Sequence, residues 1–273
     1  MRKAKSRYAV AKALGVPASS LYYQKKLPER DRSVRIRIEE ALHYHPSYGH
    51  RRLALHLGLN KKRIRRVMKL FGIQAYRRRG RKFRKHDAIL SHGYPNLVHG
   101  IVPQGEGHIW AADFTYLPFK KGFVYLATVM DIFTREIVGW SVMTNHGAAL
   151  VLQAFWNAIE AHGRPRIFHS DNGREYGSKV MVRALTEVGV KISRTAPGSP
   201  WENAFQESFF SQFKIDLGDP QRFASLGELV YAIHRTVWEY NHTRIHLALR
   251  MPPKQFAEKQ RNLVENYSKE RGT

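Results

Sequence analysis

Apolar residues recur along the chain with two periods, and the change from one to the other falls near residue 108. Between residues 33 and 76 the spacing is helical. It predicts helices near 34–44, 50–57 and 61–71, separated by His45-Pro-Ser-Tyr-Gly49 and Gly58-Leu-Asn60. In the third, Ile64, Val67, Met68 and Phe71 fall at i, i+3, i+4 and i+7, while Lys62, Arg65, Arg66 and Lys69 repeat that spacing on the other side. One face packs and the other can enter a major groove, although a basic surface helix on any bundle would show the same pattern. Upstream, residues 8–23 read as a short helix ended by Gly15, a turn, and a second helix capped near Ser19. That punctuation suits a helix-turn-helix or any small αα-hairpin.

From residue 108 the texture is that of strands. Segments 109–118, 123–130 and 136–142, with a turn at Lys120-Lys-Gly122, form an antiparallel meander. A helix at 148–162, a strand at 166–170, a helix near 178–188, a strand at 190–193 and helices at 202–217 and 225–242 follow. The order β-β-β-α-β-α-β-α predicts an α/β, ribonuclease H-like fold: a mixed sheet with flanking helices, preceded by small all-α helix-turn-helix modules. The expected division is a helix-turn-helix-like segment (1–28), a helix-turn-helix DNA-binding domain (29–76), a basic linker (77–107), a catalytic core with a C-terminal helical extension (108–260), and a frayed polar tail (261–273).

Charge sharpens this division. The chain carries a net +24, and residues 1–86 hold 26 Lys and Arg against 4 Asp and Glu, so +22 of the excess sits in the N-terminal third. A basic field confined to one region is the expected footprint of phosphate-backbone binding. The run from Arg77 to Lys85, with Arg77, Arg78, Arg79 and Arg81, reads as an arm lying along phosphates, or equally as a charged tether in the absence of DNA. With no cysteine, disulfides and Cys-containing zinc modules are excluded. No apolar run approaches a membrane span and no signal peptide is evident, so a soluble, cytoplasmic and nucleoid-associated protein is expected.

Three carboxylates carry the candidate chemistry. Asp113 lies mid-strand in Trp110-Ala-Ala-Asp-Phe-Thr-Tyr116, Asp171 ends a strand in His169-Ser-Asp-Asn-Gly173, and Glu207 lies on a helix, separated from Asp171 by 35 residues. Singly, each has an ordinary explanation: a solvent-facing strand aspartate, an Asp-Asn-Gly turn, an exposed helical glutamate. Jointly they give the layout of a two-metal phosphoryl-transfer site, whose paired hard cations need oxygen ligands from distant parts of the chain. At ~100° per residue, Asn203 and Lys214 fall within about 40° of Glu207, whereas Phe205, Phe209 and Phe213 centre on the opposite, core-facing side. Glu202 is better explained as a first-turn carboxylate, His169 as a packed histidine, and Asp131 is a substitute ligand of lower rank.

On these residues the chain resembles bacterial insertion-sequence transposases, downstream reading-frame products with a retroviral-integrase-like DDE core. The resemblance also takes in His45-Pro-Ser-Tyr-Gly-His-Arg-Arg-Leu53, Asp131-Ile-Phe-Thr-Arg-Glu-Ile-Val-Gly-Trp140, residues 169–176, the helix at 203–214, and Tyr240-Asn-His-Thr-Arg-Ile-His246. It departs from the family pattern at Glu202, where Asp is usual, and at Ile245, where Pro is usual. It implies that Asp113, Asp171 and Glu207 hold two Mg²⁺ (or Mn²⁺) ions for cleavage and strand transfer at the element's ends. Tyr176, Asn203 and Lys214 would then position DNA, and Arg65, Arg66 and Lys69 would bind the terminal repeats. The implied partners are terminal inverted repeats and target DNA, a second copy of the chain on DNA, and the product of the upstream frame. A ribonuclease H-type nuclease that only hydrolyses, and a catalytically silent DNA-binding regulator, are the alternatives left open.

Overall fold

The switch of period near residue 108 is where helices give way to strands in the computed structural model, which describes residues 7–17, 19, 27–76, 93–196 and 203–271. A short helix α1 (Arg7–Ala13) is present as expected; the partner helix expected near Ser19, the run containing Arg77, Arg78, Arg79 and Arg81, and Glu202 lie outside the described residues. Helix α2 (Leu27–Tyr44) starts earlier than its apolar spacing suggests, because buried Asp31 continues the stripe of Val34, Ile38 and Ala41 by one turn. Asp31 can be buried because Arg66 grips both of its oxygens, at 2.7 and 2.6 Å. Helices α3 (His50–Leu57) and α4 (Lys61–Leu70) fall where the spacing places them. The side chain of Asn60 caps α4 by accepting from the Lys62 N–H at 2.8 Å.

The three helices pack Val34, Ile38, Leu53, Ile64 and Val67 around Tyr48. Ile245, almost two hundred residues away, completes this core, and its backbone N–H donates to Tyr48 Oη at 2.6 Å. A proline at 245 would have no N–H to give, so the departure noted at this position makes a bond the usual residue could not.

Strands β1 (Ile109–Phe119), β2 (Gly122–Asp131) and β3 (Ile137–Met143) form the antiparallel meander; β4 (Ile167–Ser170) and β5 (Lys191–Arg194) extend it in parallel, in the order β3-β2-β1-β4-β5. Helices α5 (Ala148–His162) and α6 (Lys179–Glu187) cover one face, and α7 (Ala204–Leu217) and α8 (Leu226–His242) the other. Gly139 on β3 lets α5 approach: a Cβ there would meet the Ala154 carbonyl at 2.3 Å. This mixed sheet between helical layers is the ribonuclease H-like arrangement that the element order predicts.

Two expectations change. Residues 93–107 form no regular element but are pinned to β5, where the Arg194 N–H donates to Pro95 O and Ser193 Oγ accepts from the Leu97 N–H. The expected polar tail is helical: α9 (Pro253–Arg271) runs through it, anchored by Phe256 against Phe133, Lys254 on Glu136 at 3.1 Å and Arg261 on Glu106 at 3.6 Å. Among the described residues no helix is long and apolar enough to cross a membrane.

Candidate active site

Parallel pairing of β1 with β4 aligns Ala111 with His169. Continuing that register by two residues sets Asp113 opposite Asp171, at the edge where β4 ends and where ligand sites of α/β sheets gather. Strand alternation puts Asp113 on the face of β1 shared by Ala111 and Leu117, the face that packs on α7. Glu207 lies exposed on the first turn of that helix.

Helix α7 is fixed over the strand by a buried amide. Gln206 Nε2 donates to Ala111 O at 2.6 Å, and Gln206 Oε1 accepts from Thr128 Oγ1 at 2.9 Å. This tie sets where Glu207, the next residue, stands relative to Asp113. Burial, then the nearby charge of Asp171 and, more weakly, that of Glu207, push Asp113 well above the usual carboxylate range. The Phe114 N–H, which donates to Asp113 Oδ1 at 2.8 Å, and the Lys214 ammonium oppose that rise. Burial also raises Asp171, helped by Glu175 and opposed by the Gly173 N–H and Arg194. The charges of Asp171 and Glu207 thus both act on Asp113, and carboxylates of this kind are the oxygen donors a divalent cation takes.

The other residues expected here divide. Lys214 stands over the Tyr116 ring, 5.2 Å from its centroid, and its charge acts on Asp113. Lys62, Arg65, Arg66 and Lys69 all lie on the exposed face of α4, but Arg66 is committed to Asp31. Asn203, expected outward beside Glu207, is buried and donates to Ala112 O at 3.3 Å. It is the N-cap of α7, with φ −109° and ψ 27°, so the helical-wheel angle does not apply to it. Tyr176, expected to touch DNA, is buried in the core beneath the acids. Burial, then Asp113 and Asp171, push its phenol well above 10, so it keeps its proton and is no nucleophile. Phe209 and Phe213 are in the core, but Phe205 is 42% exposed and lies under the Arg135 guanidinium. Asp131 is no ligand: it is fully buried, and its oxygens accept from the N–H groups of Gly107, Phe133 and Thr134.

Three further residues bear on the site. Glu175 adds a fourth carboxylate beside Asp171, paired with His146 Nδ1 at 3.0 Å. Gly173 makes room for this crowding, since a Cβ there would stand 2.9 Å from Asp171 Oδ1 and 3.2 Å from Glu175 Oε2. Arg194 is fully buried, donates to Tyr176 O at 2.8 Å and supplies positive charge to Asp171. Spacing alone singles out none of the three; only the place of Glu175 just beyond the Asp-Asn-Gly turn hints at it. Among the described residues, Glu106, Glu136 and His162 bring ligand atoms within 4.8 Å of one another; Lys254 pairs with Glu136 Oε1 and Arg261 stands 3.6 Å from Glu106, while Glu136 Oε2 is buried without a partner.

Comparison with known proteins gives the same outline. Two integrase core domain models match, over residues 103–200 and 188–253. The chain is 34% identical over 196 residues to the transposase for insertion sequence element IS904 of Lactococcus lactis, covering 70% of this chain and 77% of that protein. It is 27% identical over 253 residues to the putative transposase InsK for insertion sequence element IS150 of Escherichia coli, covering 88% of each. Among solved structures, a chain of a simian T-cell lymphotropic virus intasome superposes with a TM-score of 0.50 at 18% identity, over 80% of this chain and 73% of that one.

Proposed function

The chain belongs to the insertion-sequence transposases with an integrase-type DDE core, and from that premise we propose that Asp113, Asp171 and Glu207 are its catalytic carboxylates. The observation that supports this reading is that the charges of Asp171 and Glu207 both act on buried Asp113, in keeping with a β1–β4 register that ends at Ala111 and His169, two residues short of both aspartates. An integrase-type core implies a divalent metal, and two Mg²⁺ ions, or Mn²⁺ in their place, bound to these carboxylates would supply Lewis acidity at the scissile phosphodiester. Gln206 holds the helix that carries Glu207, Arg194 offsets the charge of Asp171, and Lys214 adds a cation where a DNA phosphate would approach. In this reading joining needs no covalent bond to the protein; the attacking group is water for cleavage and the freed 3′-OH for transfer, and buried Tyr176 takes no part as a nucleophile.

In this reading the exposed cations Lys62, Arg65 and Lys69 of α4 bind the terminal inverted repeats through phosphates, together with Arg77, Arg78, Arg79 and Arg81. Acting on two ends at once calls for at least a dimer on DNA. The test is strand transfer with Mg²⁺ on labelled duplexes from the element's own ends, beside a Glu207→Ala protein. Joined products from the wild type alone support the reading. Hydrolysis without joining favours a nuclease, and full activity of Glu207→Ala removes Glu207 from the site.

A further inference from the structure

Three stretches of the sequence that the triad does not use meet at one place. Ser47, Tyr48 and Arg52 come from the segment that begins at His45, Arg135 from the turn between β2 and β3, and Tyr240, Arg244, Ile245 and His246 from the end of α8 and the residues after it. Arg52, Arg135, Tyr240, Arg244, Ile245 and His246 line a cavity of about 50 Å³ whose remaining wall is Met130 and the side of α7 carrying Phe205, Ser208, Phe209 and Gln212, while Ser47 and Tyr48 stand behind it, bonded to Arg244 and Ile245. Arg52, Arg135 and Arg244 all line it, and one carboxylate, Asp216, answers them by bonding Arg244 at 2.6 Å. Glu136, next to Arg135 in sequence, pairs with Lys254, and Asp131 acts on Arg135 through its charge while its oxygens accept from its own turn and Gly107.

Two of the arginines are satisfied. Arg244 also donates to Gln212 Oε1 at 2.6 Å and to Ser47 Oγ at 3.0 Å, and Arg52 donates to Ile245 O at 3.1 Å. Arg135 is different. Its backbone adopts φ +64°, which is strained for a residue with a side chain, and its guanidinium stacks 3.8 Å above the Phe205 ring. Nε and Nη1 of Arg135 are buried and reach no acceptor among the described residues, and the same holds for Nδ1 of His246. Buried donors of this kind are normally paired, because an unpaired one forfeits its hydration.

We propose that this cavity is an oxyanion site that takes a single phosphate group between Arg135, Arg52, Arg244 and His246. Guanidinium groups match phosphate oxygens in geometry and charge, and the volume admits a phosphate but no nucleoside. A wider groove of about 560 Å³, lined by His50 and Arg51 and sharing Arg52 and Gln212 with the cavity, gives a DNA backbone an approach. The phosphate is thus either one linkage of bound DNA or a free anion. In both cases it joins the helical module to the helix that bears Glu207, from the side of α7 opposite that residue. The assignment does not depend on the triad, so an Asp113→Asn protein should keep it.

The test titrates inorganic phosphate into the full chain without divalent metal, at ionic strength held constant with chloride, and follows thermal unfolding. Saturable stabilisation that weakens at least tenfold in apparent affinity in Arg135→Gln, and in Ser208→Glu at the exposed mouth, supports the site. Ser208→Glu adds a repelling charge without touching the buried arginines, so it serves if Arg135→Gln folds poorly. Duplexes with single neutral methylphosphonate linkages separate the sources. One linkage that weakens binding to the wild type but not to Arg135→Gln marks a DNA phosphate; a phosphate response with no such linkage marks a free anion. A wild type with neither response, or a phosphate response equal in all three proteins, overturns the proposal.

Discussion

Helix α7 separates two clusters of like charge. On the side of Glu207 stand Asp113 and Asp171, with Glu175 close by; on the side of Phe205 and Gln212 stand Arg52, Arg135 and Arg244. Each is energetically unfavourable without counter-charge, and the shifts show it: burial and then Asp171 drive Asp113 well up, and burial and then Arg244 drive Arg52 down, while burial alone lowers Arg135. At the Glu106 and Glu136 pair, by contrast, α9 supplies Lys254 and Arg261 beside the two acids. Both clusters on α7 are answered only in part: Asp216 pairs with Arg244, and Lys214 and Arg194 act on Asp113 and Asp171. On the proposed assignments the difference is one of ligand, cations on the acidic side and an anion on the basic one, with α7 between them.

The comparison can be broken hardest on the acidic side. Asp113→Asn should lower strand transfer by about a thousandfold or more while end binding changes less than about threefold, as gel-shift and joining assays would read. The next largest effect lies in the tie that holds α7. Gln206→Leu leaves the Thr128 hydroxyl and the Ala111 carbonyl without their buried partner, and should cost about 2–4 kcal/mol in chemical denaturation.

On the basic side the joint should respond to pH. Burial, then the charges of Arg244, His56 and Arg52, lower His45 from 6.5 to about 4, so the folded protein holds it neutral against Tyr48. A depressed pKa gives stability that is fully present above 6.5 and is lost as pH falls toward 4. His45 alone should contribute a loss of about 3 kcal/mol over that window, and His45→Gln should flatten the curve there. A smaller cost, about 1–2 kcal/mol, is expected for Tyr48→Phe, which removes the acceptor of the Ile245 N–H. Smallest of all, Arg65→Gln should weaken end binding a few-fold and reduce its salt slope by about one. Arg66→Gln should instead reduce stability, because its partner Asp31 is buried.

Much of this was legible in the sequence for specific reasons. Helices α3 and α4 and strands β1 to β3 carry their own periodicity, and Asp113 falls within β1 and Asp171 just after β4, as their spacing suggests. Other features depend on partners that spacing does not reveal. Helix α9 is polar, and what holds it are Phe133, Glu136 and Glu106, over a hundred residues away. Asn203 departs from its expected direction because α7 begins one residue later, and Phe205 stays out of the core because Arg135 covers it. The basic cavity is composed from three distant segments, so each reads by itself as an isolated arginine.

Manganese binding followed by electron paramagnetic resonance, in the wild type, Asp113→Asn and Glu106→Gln, tests the central claim most directly. Binding that is lost in Asp113→Asn and unchanged in Glu106→Gln is the predicted result. Retained binding in Asp113→Asn, with loss in Glu106→Gln, would move the metal to the Glu106, Glu136 and His162 group and contradict the assignment.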